Sequence, residues 1–160
     1  MTKKEFVTKM VEAIQLAKSR ELRINAAVVC AQAALESGWG RSGLCVKANN
    51  LFGIKAGSKW RGRTLDLPTW EWSKQRGWYK TTAHWCIYPD WTDCIIYYGE
   101  MLQRLSWFRD ALDYTNDADK FLEALLPEDG QPGWATDPRY ASKVRAVGAR
   151  IEKLGGPRWC

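Results

Sequence analysis

From Val28 to Leu35 the chain runs Val-Val-Cys-Ala-Gln-Ala-Ala-Leu, and a helix drawn through it is apolar almost all the way round. A helix with no polar face belongs inside a domain, so the rest of the chain has to wrap around this one. With 160 residues, 46% of them hydrophobic, the chain is long enough to do so as one domain with a core of its own. Asn25 is suited to cap the start of the helix, and Gly38 to end it.

Glu36 breaks the apolar run. At about 100° per residue it falls beside Val29, Gln32 and Ala33, which directs its carboxyl from a mostly apolar side at the C-terminal end of the helix. Desolvation and the negative end of the helix dipole both oppose ionisation there, and a carboxyl that keeps its proton is what a general acid requires.

The stretch AQAALESGWG, followed by NNLFGIKA from Asn49, closely resembles the signature of the glucosaminidase family that cleaves bacterial peptidoglycan, which includes autolysins, flagellar-assembly hydrolases and phage endolysins. The similarity continues more weakly through Thr69–Tyr88 and again at WATDPRYASKV, Trp134–Val144, so that it covers most of the chain. The resemblance implies an α+β, predominantly α architecture: a lysozyme-like fold with a small β-hairpin subdomain, residues 1–160 forming a single catalytic domain. It also makes Glu36 the catalytic acid.

Other segments supply supporting elements. Lys3–Lys18 places Phe6, Val7, Met10, Val11, Ile14 and Ala17 at helical spacing, and a second amphipathic helix is expected from about Thr92 to Leu105, capped by Asp90 or Thr92. A short helix over Asp117–Leu126 and a final helix reaching about Leu154 complete the α elements, while Arg41–Lys47 reads as a loop. Between Trp60 and Trp91 the sequence alternates tryptophans with threonine, lysine and tyrosine around a Gln75-Arg76-Gly77 turn, which predicts a β-hairpin. Its period of two sets Trp70 and Trp72 on one face and Glu71 on the other.

The resemblance implies a second carboxylate on this hairpin, at Glu71 within TWEW, assisting water or the oxocarbenium-like state. Asn50 and Phe52 are expected to line the cleft floor, with the asparagine amide offered to sugar hydroxyls or an acetamido group. At least one of Trp60, Trp70 and Trp85 is expected to stack on the glycan, with Trp70 as the candidate. The family tyrosine that heads a YATDP pattern is replaced by Trp134, whose indole can donate but has no phenol, so either Trp134 only positions substrate or Tyr140 reaches the site instead.

Several chemistries are set aside. Five cysteines without CxxC spacing and a single histidine, His84, give no zinc pattern, and neither metal nor cofactor is expected. The cysteines read as reduced thiols filling the core, Cys160 excepted; a Cys86–His84 nucleophile pair lacks a third orienting group. The net charge of +6 is dispersed, so a nucleic-acid partner is not expected. The charged start and the absence of a long apolar run imply a chain made in the cytoplasm without signal peptide or stable membrane insertion, reaching the wall only after release, as a phage lysin would; a monomer is expected. The expected activity is cleavage of peptidoglycan glycan strands, most simply as an endo-β-N-acetylglucosaminidase. The alternatives are a muramidase or lytic transglycosylase on the same scaffold, or a non-catalytic glycan-binding or virion structural module.

Overall fold

A computed structural model describes residues 1–128 and 130–160. The apolar run forms α2, Ala26–Glu36, in which every residue from Ala27 to Ala34 is buried. Asn25 caps it: its Oδ1 accepts from the Val28 N–H at 3.1 Å, while its Nδ2 donates to the carbonyls of Thr115 and Cys160, tying the cap to distant parts of the chain. The far end stops abruptly because Gly38, Trp39 and Gly40 all take positive φ, at 58°, 61° and 74°. Gly40 is doubly constrained, since a Cβ there would also meet the rings of Phe6 and Trp91.

The wrapping elements follow from their sequence periodicity. α1, Lys3–Lys18, starts with a reciprocal capping box between Thr2 and Glu5 and buries Phe6, Val7, Met10, Ala13, Ile14 and Ala17. α4, Trp91–Arg104, is capped by Asp90, whose Oδ1 accepts from the Asp93 N–H at 2.9 Å, and packs against α1. α5, Ala118–Glu123, and α6, Tyr140–Lys153, are bridged by Arg145, which bonds Asp119 at 2.7 Å and Glu123 at 3.1 Å. α6 lies along α2.

Two segments differ from the sequence expectation. Arg41–Lys47 is largely not a loop: Ser42 caps a short helix α3, Gly43–Ala48, which Asn49 ends in the left-handed conformation at φ 51°. Before α5, the chain also makes a 3-10 helix over Ser106–Tyr114 that buries Phe108, Ala111 and Leu112.

The hairpin is present as expected. β1, Thr64–Ser73, pairs antiparallel with β2, Gly77–Cys86, in a register running from Thr64 opposite Cys86 to Ser73 opposite Gly77. Residues 54–56 run along β2 through a bridge between Lys55 and Trp85, with the Ala56 N–H donating to the His84 carbonyl at 2.7 Å. The hairpin is thereby fixed to the loop that follows α3. Among the described residues no helix is long and apolar enough to cross a membrane, and no group of three or more His, Cys, Asp or Glu side chains could hold a metal ion.

Candidate active site

Glu36 is the last residue of α2, at the point where the chain turns away, and its side chain is exposed. The burial expected from its angular position is absent: the helix ends at Glu36 itself, and the three positive-φ residues that follow turn the chain away. A directed contact takes its place. Tyr140, the first residue of α6, is buried and its hydroxyl donates to Glu36 Oε1 at 2.9 Å.

That hydroxyl is oriented from behind. One turn before Glu36, the fully buried Gln32 donates from Nε2 to the Tyr140 oxygen at 3.1 Å and accepts at Oε1 from the hydroxyl of Tyr98 at 2.7 Å. Tyr98 points its proton at Gln32, Gln32 points its N–H at Tyr140, and the Tyr140 proton is left to face Glu36. The hydroxyls of Tyr98 and Tyr140 and both polar atoms of Gln32 find partners, which holds the arrangement in one geometry. Burial, with the Glu36 carboxylate beside it, pushes the Tyr140 phenol well above the usual phenol range, so it remains a donor.

An aromatic wall surrounds the network. Phe52 lies on Tyr98 with ring centroids 4.6 Å apart, and Trp134 meets Tyr98 at 5.1 Å, Phe52 edge-on at 6.1 Å and Phe108 at 6.2 Å. The backbone N–H of Trp134 donates to the Leu125 carbonyl at 2.7 Å and so holds its loop. Of the two residues left open for the missing family tyrosine, Tyr140 supplies the phenol at Glu36 while Trp134 packs beside it.

Glu71 occupies the face of the hairpin opposite Trp70 and Trp72, the face that also carries Leu65, Leu67, Thr69, Tyr79 and Trp85. It is half-exposed and ion-paired to Lys55, whose Nζ lies 2.7 Å from Oε1. Lys55 follows Phe52 by three residues in the same loop, so one stretch of about 10 Å at most joins the wall near Glu36 to the partner of Glu71. Trp70 stands on the outer face and does not share the Glu71 surface.

Asn50 is placed differently from the expectation. It is 1% exposed, with Nδ2 donating to the carbonyls of Ile54 and Cys86 at 2.9 Å each and Oδ1 accepting from the Ile54 N–H at 3.0 Å. Both of its N–H donors are committed to holding the loop against β2, and burial keeps its oxygen from a sugar. Asn50→Ala is expected to cost about 3 kcal/mol of stability, read as a lower urea midpoint. An unchanged midpoint would mean that the amide does not hold this turn.

The thiol alternative does not assemble. Cys86 is buried and burial pushes its thiol up, whereas His84 is exposed and bonds Asp66 through Nδ1 at 2.7 Å. A separate cavity of about 650 Å³, lined by Trp107, Asp110, Tyr114 and Glu123 among others, includes none of Glu36, Glu71 or Tyr140. Gln32, Tyr98 and Lys55 are the members of the site that sequence reasoning missed. The only signal for any of them was Gln32, a single polar side chain in an apolar helix, four residues before Glu36.

Comparison with known proteins bears on this geometry. Residues 12–153 match the glucosaminidase family, described as mannosyl-glycoprotein endo-beta-N-acetylglucosaminidase. Peptidoglycan hydrolase FlgJ of Pseudomonas aeruginosa is 32% identical over 152 residues, covering 92% of this chain and 36% of that protein. The chain spans less than half the length of the curated relatives it matches. Among solved structures, the catalytic domain of the autolysin Auto from Listeria monocytogenes superposes with a TM-score of 0.77 at 28% identity, covering 97% of this chain and 88% of that one. The C-terminally truncated glycoside hydrolase domain of Salmonella typhimurium FlgJ gives 0.72 at 27% identity, covering 95% and 99%.

Proposed function

Because the chain belongs to the glucosaminidase family, we propose that it hydrolyses the glycan strand of bacterial peptidoglycan as an endo-β-N-acetylglucosaminidase, acting as a monomer at the cell wall with residues 1–160 as the catalytic unit. No cofactor, nucleic acid or membrane insertion enters this reading. The observation that carries it is the carboxyl of Glu36 at the open end of a buried helix, with a buried phenol donating to one of its oxygens.

The geometry supports a specific division of labour. Tyr140 donates to Oε1, which leaves Oε2 to carry the proton passed to the glycosidic oxygen. As the proton moves to the leaving oxygen, Glu36 gains negative charge, and the Tyr140 hydrogen bond strengthens with it. A donor already aimed by Gln32 and Tyr98 stabilises that charge without reorganising. Glu71, on the hairpin, assists either by activating water or by facing the positive charge on the anomeric carbon, and Lys55 holds it in place until the substrate arrives. Trp134, half-buried, offers the apolar face against which a sugar ring is positioned, while Phe52, expected on the cleft floor, is 4% exposed and supports that indole from the core.

Digestion of purified peptidoglycan followed by borohydride reduction and mass spectrometry of the chain ends tests this reading. Reduced N-acetylglucosamine ends are expected. Reduced muramic ends would make the protein a muramidase, anhydro ends a transglycosylase, and no new ends would leave it without glycosidase activity.

A further inference from the structure

Three tryptophans stand in solvent on one face of the hairpin: Trp70, Trp72 and Trp78 are 62%, 58% and 70% exposed. The register gathers them, since Trp72 lies opposite Trp78 and Trp70 opposite Lys80. Alternate residues share a face, so Trp70 and Trp72 rise side by side roughly 7 Å apart, with Trp78 across the ladder. Glu71 and its partner Lys55 belong to the other face. This aromatic patch is therefore separate from the catalytic arrangement, and among the described residues its three indoles do not belong to the core or to the side chains packed against it. Contiguous exposed indoles of this kind mark a binding surface.

The surrounding chemistry selects the partner. Lys80 lies within the patch and Lys74 in the turn beside it, so the indoles are edged by cations, whereas Arg76 of the same turn lies over Tyr79 on the other face. A second copy of this chain, itself at +6, would bring the same cations against these. Hydrocarbon is equally unsuited, because Leu16 and Val46, the large aliphatics exposed elsewhere, lie on α1 and α3 and not on this face. Indole faces stack on the apolar faces of pyranose rings, and the lysines meet carboxylates.

We propose that the outer face of the hairpin is a second glycan-binding surface, which holds an anionic polysaccharide strand of the wall beside the strand being cut. The inference rests on the peptidoglycan reading for the identity of the polymer, but it requires nothing of Glu36. It makes the hairpin two-sided, with Glu71 facing the cleft and the tryptophans gripping a neighbouring strand.

The test combines co-sedimentation with insoluble purified peptidoglycan and hydrolysis of a soluble, peptide-free wall tetrasaccharide too short to reach both surfaces. Trp72→Ser with Trp78→Ser is expected to weaken sedimentation about tenfold, or about 1.4 kcal/mol, while the rate on the tetrasaccharide stays within about twofold. Lys74→Glu with Lys80→Glu, which leaves the indoles in place, is expected to weaken wall binding at low salt and less so at high salt. Unchanged sedimentation of both variants would overturn the proposal. So would wild-type protein that sediments with phosphatidylglycerol vesicles but not with wall, or a dimer that the tryptophan substitutions dissociate without altering wall binding. Wild-type protein that binds wall through the indoles but releases no new chain ends would overturn the proposed hydrolysis and leave this surface standing.

Discussion

Glu36→Gln is expected to lower the rate of glycan cleavage by roughly 10²–10⁴-fold while wall binding and thermal stability stay close to wild type. The amide keeps the size of the side chain and keeps an oxygen to accept the Tyr140 hydroxyl, so the network through Gln32 and Tyr98 is undisturbed. Only the transferable proton is lost. Because the side chain is exposed, the substitution is expected to change stability by no more than about 0.5 kcal/mol. The decisive measurement is the initial rate of new reducing ends on purified wall, with both proteins in parallel and their melting temperatures recorded. A variant that cuts as fast as wild type would remove Glu36 from the chemistry, whereas one that fails to fold would place the residue in the architecture.

The substitution also separates what was legible in the sequence from what was not. The buried helix, its Asn25 cap, the inward face of α1, the Asp90 cap and the hairpin all follow from local rules, since periodicity and capping act over three or four residues. Short elements escaped those rules. α3 is six residues long, too short for a periodic pattern, and is defined by Ser42 at one end and a left-handed Asn49 at the other. The exposure of Glu36 also lay outside the helical wheel, because it depends on how the chain leaves the helix through Gly38, Trp39 and Gly40.

The polar contacts of the site were harder to see because they join distant residues. Tyr98 reaches Gln32 across 66 positions, Tyr140 reaches Glu36 across 104, and Asn50 spends its amide partly on Cys86, 36 positions away. No local pattern distinguishes an asparagine that offers its amide to a ligand from one that holds a loop. Burial decides between them, and burial is a property of the folded chain.

Alkaline pH is expected to unfold the protein cooperatively between about pH 9 and pH 11, through acids that the fold keeps protonated. Burial is the leading cause in each case: it pushes up the thiols of Cys30, Cys45, Cys86 and Cys94 and the phenols of Tyr88, Tyr98 and Tyr140. In the unfolded chain these groups ionise near their ordinary values, about 8.5 for a thiol and about 10 for a phenol. Above those values the unfolded state binds fewer protons than the folded one, so stability falls as pH rises, while below about pH 8 the contribution is fully present. Cys30, whose thiol is pushed up to about 12, alone removes ~1.4 kcal/mol per pH unit over that window, or roughly 3 kcal/mol by pH 11. Cys94 and the three tyrosines act in the same direction, against a total stability of about 5–15 kcal/mol for a domain. Urea midpoints measured under reducing conditions should be level from pH 6 to 8 and fall steeply from pH 9. Cys30→Ala should start lower, because it leaves a small cavity, but fall less steeply by one proton's worth. A midpoint that holds to pH 11, or an alanine variant with the wild-type slope, would show that these groups do not remain protonated in the folded chain.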